Sequence, residues 1–128
     1  MTQKTRITFL GGLDTIGKNM LVLEHRNQAI IIDCGMTFPD EDMPGVNLVI
    51  PNFEFVRKIK NKIKAVLVTH GHEDHIGALD YLYREINPPL YGTKLTLAFA
   101  LEKFSGKQKK NLSAQEMTVG KTYVFGDI

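Results

Sequence analysis

At 128 residues and 14.4 kDa the chain has room for one domain and not for a multidomain machine. Its 43% hydrophobic and 23% charged residues are globular values that exclude a disordered tail or low-complexity linker. Sixteen Lys and Arg against fourteen Asp and Glu leave a formal charge of +2, which excludes a nucleic-acid binder recognisable by charge alone. In chain order, Ile7-Thr8-Phe9-Leu10 predicts a short strand stopped by Gly11-Gly12. Met20–His25 and Ala29–Asp33 predict a hairpin turned by Arg26-Asn27-Gln28, its nearly all-apolar second strand placed centrally. Residues 34–52 carry Gly35, Pro39, Gly45 and Pro51 with the acidic run Asp40-Glu41-Asp42, and read as a long structured loop.

Phe53, Val56, Ile59 and Ile63 lie on one helical face, with Arg57, Lys58, Lys60, Lys62 and Lys64 on the remainder. Two readings of that basic run stay open: a solvated face, or a patch that tracks RNA. Ala65-Val66-Leu67-Val68-Thr69 predicts a buried strand running into a loop. Ile76, Leu79, Leu82 or Tyr83, and Ile86 trace a second amphipathic helix, ended by Asn87-Pro88-Pro89. Leu90-Tyr91-Gly92 predicts a brief strand, and Leu97, Ala98, Leu101 and Phe104 a third helix capped near Thr93. Lys107–Asn111 is polar, and Met117–Val119 with Thr122–Phe125 predict a closing hairpin around Gly120-Lys121. The lone cysteine, Cys34, forbids an internal disulfide, and with the polar start Met1 to Arg6 it leads us to expect a cytoplasmic protein. No apolar run approaches the roughly 18 residues of a membrane span, so none is expected.

Three of the four histidines fall within His70-Gly71-His72-Glu73-Asp74-His75. Imidazole and carboxylate are donors that zinc accepts, and alternation along an extended loop sends His70 and His72 to one side while the next turn aims Asp74 and His75 at a neighbouring position. Two metals so held generate a hydrolytic nucleophile at neutral pH and act on phosphodiesters, amides or esters. The pattern is specific for metal and unspecific for substrate.

Thr69-His70-Gly71-His72-Glu73-Asp74-His75-Ile76-Gly77 resembles the HxHxDH motif of the metallo-β-lactamase superfamily, in the form used by the ribonuclease J branch of its β-CASP nucleases. Gly11-Gly12 with Ile16-Gly17-Lys18-Asn19, then Ile32-Asp33-Cys34-Gly35, Phe38-Pro39 with Gly45, Val49-Ile50-Pro51, and Tyr91-Gly92-Thr93-Lys94-Leu95 resemble that branch in the same order. The resemblance implies an α/β (α+β layered) fold, the N-terminal half of an αββα sandwich, with a mixed sheet and about three helices. Residues 1–128 would form a partial domain, since no histidine follows His75 to supply the family's later ligands, and His25, at a hairpin end, is not taken to replace them.

By the same resemblance His70 and His72 bind one zinc, and Asp74 and His75, the catalytic pair, bind the second. Mn2+ or Mg2+ is the alternative pair of ions. Asp33 matches the family's first motif and would hold the far nitrogen of a ligand histidine, with a turn or N-cap role as its alternative. Lys18 and Asn19 either reach a substrate phosphate or close a turn. Asp14-Thr15 and Cys34 depart from the branch's usual residues, and Cys34 reads as a small buried hydrophobe rather than a ligand or nucleophile. The implied activity is hydrolysis of RNA by exonuclease and endonuclease action, with RNA and further ribonuclease J-type subunits, alike or different, as partners. The competing readings are a small ester, thioester or lactone hydrolase and a non-catalytic interaction fragment. The isolated chain is expected to be inactive.

Overall fold

The structure, a computed structural model, describes residues 3–128; Met1 and Thr2, the beginning of the polar start, lie outside the described residues. Six strands form one mixed sheet in chain order: β1 (Thr5–Gly11), β2 (Met20–His25), β3 (Gln28–Ile32), β4 (Ile63–Leu67), β5 (Leu90–Gly92) and β6 (Ala114–Glu116). The first two pairings are antiparallel and the last three parallel. The expected hairpin is β2–β3, with Arg26 at φ 54° in its turn.

Register explains the two faces. Val22 lies opposite Ile31, Ile31 opposite Val66 and Val66 opposite Leu90, so these fully buried side chains form one row across the sheet. On that row pack α1 (Glu54–Ile59), α2 (Glu73–Ile76), α3 (Leu79–Leu82) and α4 (Lys94–Leu101), through Val56, Ile76, Leu79, Leu82 and Ala100. The other face joins Ile30 and Ala65 to Phe125, with Leu23, Ile32, Leu67 and Tyr91 around them. There the Tyr91 and Phe125 rings meet edge to face at 4.8 Å. Toward β1 this face is open, with Ile7 and Phe9 about half exposed.

Several expectations are corrected. Ile63, assigned to a helix by its spacing, is extended (φ −73°, ψ 118°) and begins β4 opposite Ala29, after a 3-10 turn at Lys60–Lys62. Pairing with a central strand outweighed the continuing helical period, as a β-branched residue allows. β4 accordingly starts and ends two residues before the predicted strand. The second predicted helix is divided into α2 and α3, since Gly77-Ala78 lies between them and the Ala78 N–H bonds to Cys34 O (3.0 Å). The polar Lys107–Asn111 stretch lies in a helix, α5 (Gly106–Asn111), begun by a reciprocal capping box between Ser105 and Gln108. Among the described residues five short helices therefore stand where about three were expected. The predicted closing hairpin is absent among the described residues: Ala114–Glu116 pairs with β5, and 122–125 lies outside any ladder, laying Phe125 on the apolar face. Burial of Phe125 and Tyr123 there replaces the strand pairing. The Thr93 cap holds, its hydroxyl accepting from Thr96 N.

Candidate active site

Three connections meet at the C-terminal ends of β3 and β4. Asp33 follows β3, Thr69 and His70 follow β4, and Asn19 immediately precedes β2. Backbone hydrogen bonds tie them: Asp33 N to Leu67 O (2.8 Å), Cys34 N to His75 O (2.9 Å), Asn19 N to Asp74 O (3.0 Å) and Gly35 N to Asn19 O (3.0 Å). Gly35 is required by this stacking, because a Cβ there would overlap the Asp74 carbonyl. Asp33 takes a left-handed conformation (φ 62°), which a short polar side chain tolerates, and turns its carboxylate back over the end of β4.

That carboxylate, 5% exposed, organises the cluster. Its Oδ1 accepts the Thr69 N–H (2.8 Å), while Oδ2 accepts from the Thr69 hydroxyl (2.8 Å) and lies 2.7 Å from His75 Nδ1. A carboxylate accepts only, so Nδ1 of His75 carries the hydrogen and Nε2 presents its lone pair. Asn19 Nδ2 donates to Asp74 Oδ2 (3.1 Å) and to the Asp74 carbonyl (3.1 Å) and lies 3.3 Å from Nε2. The same logic reaches His70 through Thr69. The hydroxyl spends its one hydrogen on Asp33, so at 3.0 Å from His70 Nδ1 it must accept, leaving Nε2 of His70 as the lone-pair nitrogen. One buried carboxylate thus sets the tautomers of two imidazoles.

The His70 ring lies 4.1 Å from that of His75 and 4.7 Å from that of His72, and Asp74 Oδ2 is 3.4 Å from His75 Nε2. His72 precedes the first turn of α2, which begins at Glu73, and its carbonyl accepts from His75 N (2.9 Å) and Ile76 N (3.0 Å). Beside the loop a largely apolar cavity of about 350 Å³ is walled by His70, His72, Leu95 and Phe99.

His70, His72, Asp74, His75, Asp33 and Asn19 are therefore brought together. Lys18 contributes backbone, in a left-handed conformation (φ 50°) with its N–H on Met36 O (3.1 Å). Cys34 is fully buried, and that burial, reinforced by the Asp33 and Asp80 carboxylates, pushes its thiol far up and keeps it protonated. Thr69 is the site residue that sequence reasoning passed over. Its signal was its place directly before the first histidine. By chemistry the lone-pair nitrogens suit a divalent ion, yet among the described residues no three His, Cys, Asp or Glu side chains form a set able to hold one. Donor type fits a metal; donor number falls short of the three of a catalytic zinc.

A family model described as the metallo-β-lactamase superfamily matches residues 13–126. The chain belongs to that superfamily. Membership brings use of a divalent metal with it. Curated relatives carry the name ribonuclease J, in keeping with the resemblance read from the motifs. The chain is 52% identical to the Helicobacter pylori protein over 99 residues, covering 77% of this chain and 14% of that one. It is 48% identical to the Mycobacterium tuberculosis protein over 100 residues (77% and 18%) and 41% identical to the Synechocystis protein over 131 residues (96% and 20%). The chain thus spans a fifth or less of these relatives' length. Among solved structures, Rm3 metallo-β-lactamase has a TM-score of 0.59 at 17% identity, covering 94% of this chain and 45% of that one. Unliganded yeast PDE1 has a TM-score of 0.61 at 12% identity, covering 98% and 54%. These two likenesses concern the fold. No helix among the described residues is long and apolar enough to cross a membrane.

Proposed function

We propose that these residues are the N-terminal portion of the catalytic domain of a ribonuclease J-type enzyme, which hydrolyses RNA phosphodiesters by exonuclease and endonuclease action in the cytoplasm. The observation that carries this reading is the convergence of three imidazoles at the end of β4, two of them held by Asp33 with Nε2 available. Relatives named ribonuclease J support RNA as the substrate.

In this reading His70 and His72 hold one zinc and Asp74 and His75 the second, with Mn2+ or Mg2+ as the alternative ions. When bound, the metals supply a water acidic enough to act as a nucleophile at neutral pH and positive charge for the phosphoryl oxygens. The chain's own residues supply orientation. Asp33 fixes His75 directly and His70 through Thr69, so neither ring must select a tautomer when a ligand arrives. The Asn19 amide spends both its hydrogens on Asp74, at Oδ2 and at the carbonyl, and so orients that residue, while Lys18 next to it adds positive charge for a substrate phosphate. Further ribonuclease J-type subunits, alike or different, are the partners this reading brings.

Two donors per ion favour a companion reading, that the 128 residues alone bind zinc weakly and cleave RNA slowly or not at all. The test is metal stoichiometry and single-turnover cleavage of a 5′-monophosphorylated RNA with Zn2+ or Mn2+, on this chain and on a version extended through the following sequence. Cleavage by the extended protein, abolished by His72→Ala, is expected. A silent extended protein that retains two metals would refute the nuclease reading; robust His72-dependent cleavage by the 128-residue chain would refute the companion reading.

A further inference from the structure

A second charged feature lies at the opposite end of the sheet. Three chain segments assemble a cleft of about 510 Å³ whose walls include Lys4, Arg6, Arg26 and Lys62, with Glu24 among them. Glu24 is 8% exposed, and its Oε2 has no hydrogen-bond partner among the described residues. Arg6 stands 4.0 Å from that oxygen and Lys62 3.9 Å from Oε1, close enough for attraction but too far for hydrogen bonds. Arg26 is partly engaged, by Asp127 at 3.2 Å and Gln3 at 2.6 Å. The basic run read from the sequence is thereby divided. Arg57 is spent on Glu85 and Lys58 on Glu54, whereas Lys62 turns into this cleft.

Excess cations attract an anion, but a bare anion would meet the Glu24 carboxylate. A ligand that places a hydroxyl donor next to a phosphate satisfies both, because a carboxylate whose nearby cations stand beyond hydrogen-bond distance gains a full hydrogen bond from that donor. We propose that this cleft binds a ribose-phosphate unit, with Lys4, Arg6 and Lys62 on the phosphate and the Glu24 carboxylate, through the oxygen nearer Lys62, accepting from a ribose hydroxyl. The inference rests on the nuclease reading and deepens it, giving the protein an RNA contact separated from the histidine cluster by the length of β2, about 17 Å. The 2′-hydroxyl is what distinguishes RNA from DNA at such a contact.

The experiment measures fluorescence anisotropy of labelled 12-mers of RNA and of DNA of the same sequence with the full natural chain carrying these residues, in EDTA so that no cleavage occurs, with AMP as competitor. RNA is expected to bind more tightly than DNA. The Arg6→Gln, Lys62→Gln double variant should lose about 25-fold at 0.1 M salt and reduce the salt slope by about 1.4, two contacts at about 0.7 each. Glu24→Met, which removes both acceptor oxygens at similar volume, should bring the RNA-to-DNA ratio toward one. Lys4→Gln, at an exposed position, supplies the same slope measurement if the double variant does not fold. Displacement of the RNA by millimolar AMP identifies a free nucleotide as an occupant, and resistance to it identifies the strand; either supports the site. Equal binding of RNA and DNA, or an unchanged salt slope in the cation variants, would overturn it. Failure of the nuclease reading appears separately, as loss of cleavage in metal-containing buffer while RNA binding in EDTA persists.

Discussion

Asp33→Asn isolates the role of one buried carboxylate. Asparagine matches its volume and tolerates the left-handed backbone at φ 62°, so the loop keeps its path. To keep the bond from Thr69 N (2.8 Å), the amide oxygen must occupy the Oδ1 position, which puts the NH2 where Oδ2 now accepts from Thr69 Oγ1 (2.8 Å) and His75 Nδ1 (2.7 Å). Two charge-assisted bonds, about 1.5–3 kcal/mol each, are lost as they stand. Relief is available locally: the hydroxyl rotates to accept, and His75 moves its hydrogen to Nε2 so that Nδ1 accepts. The net cost is then about 2 kcal/mol of stability, but the relay inverts. Nε2 of His75 becomes a donor, and Thr69, its hydrogen released, drives His70 the same way. Metal affinity should fall about 10- to 100-fold. Long-range 15N–1H NMR of the imidazoles reports each tautomer, and a Zn2+ titration reports affinity. If His75 in the variant keeps its Nδ1 hydrogen and takes up zinc as the parent does, the relay argument is wrong.

Gly35→Ala forces the 33–35 loop away from α2 and breaks at least two of the hydrogen bonds at Asn19 N, Gly35 N and Cys34 N, a loss of about 2–4 kcal/mol read by urea denaturation; a midpoint equal to the parent's would show that the contact yields freely. Cys34, buried and protonated, should resist iodoacetamide in the native protein up to pH 9 and react on unfolding. Being the lone cysteine, it makes prompt native-state labelling an unambiguous contrary result. Arg57 donates twice to Glu85 (2.7 and 3.0 Å) and holds its carboxyl below the ordinary range. The pair therefore stabilises above the unfolded carboxyl's pKa and stops doing so as pH falls through the folded value. Both groups are open to water, so Glu85→Gln should remove a small, salt-sensitive part of the acid limb of a pH–stability curve; an acid limb of unchanged slope would count against it.

Local sequence carried much of the architecture. The β2–β3 hairpin follows from apolar runs around a short turn, the Thr93 cap from residue type at a helix start, and the histidine cluster from its place after the apolar run of β4. These rest on interactions between residues a few positions apart, which is the range over which periodicity, capping and turn sterics operate. The α5 capping box at Ser105 and Gln108 was equally local, and the polarity of the segment hid it. Only the tertiary structure decided the rest. Ile63 left its helical period because β3 offered a ladder, and Phe125 left a hairpin because the sheet offered an apolar face. Asp33 reaches Thr69 across 36 positions and His75 across 42, and Lys62 meets Glu24 only once the sheet is assembled, since β3 lies between β2 and β4. The donor types of the site were written along the chain, whereas their tautomers and partners depended on hydrogen bonds between strand ends that no local rule brings together.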